Sequence, residues 1–109
     1  EVTVPVSSKE LRRARAQARA KLQPQIRALK EKVAKAEARI TELESELEAL
    51  SEVLFNPKPD TDFAATNKRL KLVQDQLEVF SEEWERDASE LERLQREQEA
   101  ALEEVIPTR

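Results

Sequence analysis

Residues 22–54, LQPQIRALKEKVAKAEARITELESELEALSEVL, decide the fold. Their apolar residues are Leu22, Ile26, Leu29, Val33, Ala36, Ile40, Leu43, Leu47, Leu50 and Leu54. The steps alternate four and three throughout, which is the spacing of a heptad seam. With Ile26 as position a, the a set is Ile26, Val33, Ile40, Leu47 and Leu54, and the d set is Leu22, Leu29, Ala36, Leu43 and Leu50. A strip this narrow, flanked by charge, needs one partner helix along its length.

That partner lies in the same chain. FNPKPDTD, residues 55–62, breaks the helix with two prolines, and Asp60, Thr61 or Asp62 can cap the next one. A second ladder then runs Phe63, Thr66, Leu70, Val73, Leu77, Phe80, Trp84, Asp87, Leu91, Leu94, Gln98, Ala101, Val105, with Asp87 and Gln98 as polar intrusions. Two ladders joined by a short turn predict an antiparallel helical hairpin.

Charge points the same way. Residues 9–39 hold eleven Lys/Arg against three Asp/Glu, and residues 72–109 hold four against twelve. Residues 40–54 hold five acids and no base, while residues 55–71 hold four bases and two acids. Folding about the turn sets opposite charges face to face, whereas a parallel partnership with another copy sets like against like. Centring the fold near Asp60 places Ala36 against Trp84, Leu29 against Leu91, Ile26 against Leu94, Lys32 against Glu90 and Arg39 against Glu83. A one-heptad slide instead sets Leu29 against Trp84 and brings Glu46 near Arg69; volume complementarity favours the first register.

The expected fold is therefore all-α: an antiparallel two-helix coiled-coil hairpin with a short basic N-terminal helix packed at its base. Residues 1–7 read as an extended linker and residues 8–106 as the hairpin domain. Within it, a short helix spans 8–22, helix one 24–54, the turn 55–62 and helix two 63–105. Residues 107–109 form a loose tail. Ser7 with Glu10 fits a capping box, and Pro24 reads as a new start or kink. Helix two outruns the ladder after Pro24, so the basic segment is expected to cover its far end.

Composition narrows the function. The chain has 109 residues, 39% of them charged and 4% aromatic, with no Gly, Cys, His, Met or Tyr. Without Gly the usual phosphate-cradling loops are missing, and without His or Cys there is no ordinary zinc site or thiol chemistry. We therefore expect no catalytic residue, no metal and no enzyme activity in this chain. No apolar run reaches membrane-spanning length. Glu1 in place of Met suggests a piece of a longer protein, and the expected state is a monomeric hairpin.

The sharpest functional signal is RRARAQARAK, residues 12–21. Arg12, Arg13, Arg15, Arg19 and Lys21 suit phosphate contacts, because a guanidinium offers fixed donors to an oxyanion. The competing reading is that these charges answer the acidic end of helix two. The four arginines are expected on different faces, so some must point outward. The aromatics are expected on the seam, which disfavours base stacking. Trp84 is expected to pack in the core, and Lys58, Lys68, Arg69 and Lys71 to pair with Glu44, Glu46 and Glu48. Asp87 should lie near the surface or pair with Lys30 or Lys32.

A basic segment followed by LQPQIRALKEKVAKAEARITELE, a proline-bearing tip LFNPKPDTDF and an aromatic-bearing turn LEVFSEEWERDASELE resembles the C-terminal coiled-coil domain of ABC-F family ATPases of the Uup and YheS type. The resemblance covers about residues 8–97; the tip lacks that family's usual tyrosine. It implies a cytoplasmic parent protein with two ATP-binding cassettes outside this chain, no cofactor within it, and contact with DNA or ribosomal RNA. By region, Arg12, Arg13, Arg15, Arg19 and Lys21 would make that contact. The tRNA-contacting C-terminal arm of valyl-tRNA synthetases is similar in outline. A hairpin that docks a protein and never touches nucleic acid remains the third reading, which the net charge of −4 favours.

Overall fold

The computed structural model describes residues 7–104 and consists of two helices, α1 (Ser8–Phe55) and α2 (Phe63–Glu104), which form an all-α antiparallel hairpin. The positions expected for most of the linker, the end of helix two and the tail lie outside the described residues.

Local chemistry sets each helix end. Ser7 caps α1: the Glu10 N–H donates to Ser7 Oγ at 3.1 Å, and the Leu11 N–H donates to the Ser7 carbonyl at 2.9 Å. At the other end Asn56 closes the last turn, donating from its backbone N–H to the Glu52 carbonyl and from Nδ2 to Glu52 Oε1 at 2.7 Å. Pro57 then forbids continuation. In the turn, the Lys58 N–H donates to Thr61 Oγ1 at 2.8 Å and the Thr61 N–H to the Lys58 carbonyl at 3.0 Å. Of the three candidate caps, Asp62 serves α2, its Oδ1 accepting the Ala65 N–H at 3.0 Å.

The helices pack as two units. The end unit comprises the described residues up to Glu31 and from Ala88 onward; the tip unit is Lys32–Asp87. In the end unit, Leu22, Ile26 and Leu94 form a buried cluster with Leu29 and Leu91 packed on it. These are the neighbours that centring near Asp60 predicts. In the tip unit Leu43 and Val73 are fully buried and Ala36 nearly so. Every described ladder position is buried or half-buried except Phe63, at the start of α2, where the turn leaves it 49% exposed.

The separate short helix is not formed. Residues 8–22 are the first part of α1, which runs unbroken through Pro24. Proline deletes one backbone donor and crowds one carbonyl, at a cost of about 3 kcal/mol in a helix interior. Here Leu22 and Ile26, on either side of it, are both buried against α2, and burying such a side chain stabilises by about 1.5–3 kcal/mol. Packing therefore outweighs the local defect. The inward residues Ala14, Ala18, Leu22 and Ile26 advance by four each time, a departure from the heptad alternation that spans the proline.

The polar intrusions are accommodated differently. Gln98 is half-buried and its Nε2 donates to the Arg19 carbonyl at 3.0 Å and to Gln23 Oε1 at 3.1 Å. Asp87 is half-buried, lining a groove with Lys32 and Lys35.

Candidate functional site at the basic start of the first helix

The five singled-out residues all lie on the first four turns of α1. Arg12, Arg13, Arg19 and Lys21 are exposed and Arg15 is half-buried. Helical spacing sorts them further. Arg12, Arg15 and Arg19, at i, i+3 and i+7, share one flank within about 60° of arc, while Arg13 and Lys21 project elsewhere. The expectation of four arginines on different faces is corrected accordingly: three form a stripe.

Arg15 and Arg19 border a shallow groove with Glu99, Leu102 and Glu103 of α2. Proximity to those acids places this part of the stripe where the charge pattern put it, beside the acidic end of α2. Yet none of the five basic residues forms an ion pair among the described residues. Arg12 makes only a long bond, from Nε to the Ser8 carbonyl at 3.4 Å.

Glu99 and Glu103 form no ion pair among the described residues either, whereas three acids nearer the middle of α2 have partners on their own helix. Arg93 bonds Glu90 twice, from Nε at 2.7 Å and Nη2 at 2.8 Å, and reaches Glu97 from Nη1 at 3.2 Å. Arg96 bonds Glu92 one turn back. These pairs hold Glu90 below the usual carboxylate range and push the Arg93 guanidinium up, in both cases chiefly through their shared hydrogen bonds. Three acids that the segment totals assign to the basic start are thus engaged along their own helix.

At the tip, Arg69 pairs with Glu46, as expected of that cluster and also as the one-heptad slide would bring, although Leu29 and Leu91 pack on one cluster as the favoured register has it. Lys71 pairs with Asp75 of its own helix at 3.1 Å. Arg39 does not reach Glu83 as an ion pair; it bonds Glu42 at 3.1 Å and lies over the Phe80 ring, 5.9 Å from its centroid. Trp84 is half-buried, and its indole N–H is buried without an acceptor among the described residues.

Not every aromatic sits on the seam. Phe55, the last residue of α1, is 87% exposed beside the turn. The signal was available: Leu54 is an a position, so the following residue faces outward.

Among the described residues, no group of His, Cys, Asp or Glu is arranged to hold a metal ion, and no helix is long and apolar enough to cross a membrane. No known protein family matches the sequence, and neither a curated protein nor a solved structure matches it.

Proposed function

We propose that this hairpin contacts the phosphate backbone of a nucleic acid through the first turns of α1, as a non-catalytic accessory element. The observation that carries the reading is that Arg12, Arg13, Arg15, Arg19 and Lys21 form no ion pair among the described residues, even where Arg15 and Arg19 border Glu99 and Glu103. Guanidinium groups held on a helix with no carboxylate partner suit phosphate oxygens, and such contacts release counterions. They carry no base-sequence information. DNA and ribosomal RNA are both suitable targets on this chemistry. The parent class, a cytoplasmic ABC-F-like ATPase, rests on the sequence motifs alone.

The test is fluorescence anisotropy of labelled duplex DNA, branched DNA and a structured RNA with this chain, at low and moderate salt. Salt-sensitive binding that disappears when Arg12, Arg13, Arg15 and Arg19 are all changed to Glu is the expected result. Binding unaffected by those changes, or absent at low salt, overturns the reading.

A further inference from the structure

The two flanks of the tip unit differ. On one, charges of both signs mix: Glu42 pairs with Arg39 and Glu46 with Arg69, and the groove on that flank is lined by Lys32, Lys35 and Arg86 together with Glu83 and Asp87. On the other, an open groove runs between the helices, floored by Ile40 and Trp84 and bordered by Glu37, Thr41, Ser81 and Glu85. Burial adds a partial asymmetry. The buried residues of this unit, Ala36, Leu43 and Val73, are all d positions and no a position is buried, although the d positions Leu50, Thr66, Phe80 and Asp87 are also only half-buried. In a heptad the a position adjoins e, and this chain places short Ser81 at one such e position, leaving the a side chains uncovered.

The acids beside this groove are unmatched. Glu37 and Glu44 occupy e positions, and Glu48, Glu78 and Glu85 occupy b positions on the same flank, where this unit's one base is Lys71, paired with Asp75. All five are exposed, and none forms an ion pair among the described residues. An apolar floor between two helices, with Glu37 on one bank and Glu85 on the other, is complementary to an amphipathic helix with an apolar seam and basic flanks. Five carboxylates repel nucleic acid from this side.

The basic segment of a second copy fits the charge but not the floor. Its larger apolar residues Leu11 and Leu22, with Ala14 and Ala18, are already half-buried or buried within its own chain, so its free surface offers charge, Gln17 and only the small Ala16 and Ala20, with no apolar seam. We infer that the groove docks a Lys- or Arg-flanked amphipathic helix of another protein. This site is separate from the basic start of α1 and does not depend on it.

Trp84 is the chain's single tryptophan, so its emission reports the groove directly. The probe is a peptide of about 21 residues, three heptads, with Leu at a and d and Lys at e and g; the lysines keep it from pairing with itself. Titrating it into the chain should shift Trp84 emission and saturate. The Glu37→Lys, Glu85→Lys double variant, with unchanged circular dichroism, should bind about tenfold more weakly, because two exposed ion pairs are reversed. A peptide with Glu in place of Lys should not bind. Equal affinity for the double variant, or no Trp84 response to the Lys peptide, overturns the inference. So does a concentration-dependent dimer in sedimentation that itself shifts Trp84 emission, which gives the groove to a second copy. No nucleic acid enters this assay, so its failure leaves the backbone-contact proposal untouched.

Discussion

Arg69 of α2 grips Glu46 of α1 at two points, Nη2 meeting Oε1 at 2.7 Å while Nε meets the other carboxylate oxygen. The bidentate geometry fixes one helix against the other within the tip unit, which a single-point lysine pair would not do. The hydrogen bonds from Arg69 hold Glu46 below the ordinary glutamate value of 4.5. A carboxylate depressed in the folded state adds stability that is complete above its unfolded pKa and is lost as pH falls through the folded one. Thermal melts followed by circular dichroism should therefore show Tm falling below about pH 4.5. Arg69→Met should lower Tm at neutral pH and flatten that acid-side fall. Part of the fall should persist in this variant, because Glu90 is depressed in the same sense by Arg93. An acid limb identical to that of the parent chain would show that the pair contributes nothing.

Leu43 and Phe55 test where the core lies. Leu43 is 0% exposed, and its truncation to Ala leaves a cavity that the helices cannot fill, at an expected cost of about 3 kcal/mol. Phe55 is 87% exposed, so Phe55→Ala should change stability by no more than about 0.5 kcal/mol. Urea unfolding of both variants measures the difference. A Phe55 variant as damaged as Leu43→Ala would mean that the aromatic supports the turn.

How far the sequence is readable follows from which physics each feature uses. The seam depends on side-chain period, so the ladder positions were legible, down to the neighbours of Leu29 and Ile26. A new helix start at Pro24 follows from a local rule, which burial of Leu22 and Ile26 outweighs. The four-residue steps from Ala14 to Ile26 were visible in the sequence and mark the same place. The charge totals of whole segments hid the engagement of Glu90, Glu92 and Glu97. That engagement is set by i+3 and i+4 spacing to Arg93 and Arg96, which a sum over residues cannot register. The open groove beside Trp84 needed the burial pattern, since heptad spacing alone treats a and d alike.

Pro24 should be a removable defect. It is exposed, so its ring fills no space in the core, and alanine there restores a donor for the Ala20 carbonyl. Pro24→Ala is expected to raise stability by about 2 kcal/mol. Gln98 works in the opposite direction. Truncating it to Ala strands the contacts to the Arg19 carbonyl and Gln23 and should cost about 1 kcal/mol. Gln98→Leu, by adding apolar burial at a seam position, should recover most of that loss. Chemical denaturation of the three variants decides these directions. Loss of stability in Pro24→Ala would mean that the proline is part of how the chain bends onto α2.

The basic stripe also makes an unequal prediction for its own members. Arg15 and Arg19 share a groove with Glu99 and Glu103, whose negative field opposes a phosphate's approach, whereas Arg12, Arg13 and Lys21 do not border it. Each Ala substitution at Arg12, Arg13 or Lys21 that removes a phosphate contact should lower the slope of log affinity against log salt by about 1. Arg15→Ala and Arg19→Ala should lower it by less. The converse change is the sharper measurement. Replacing Glu99 and Glu103 together by Gln removes the opposing charge without adding a cation. It should tighten duplex binding at fixed salt and raise the contribution of Arg15 and Arg19 toward that of Arg12. If the double Gln variant binds no more tightly, the two arginines do not face the nucleic acid, and the interface lies on the side of α1 that carries Arg13 and Lys21.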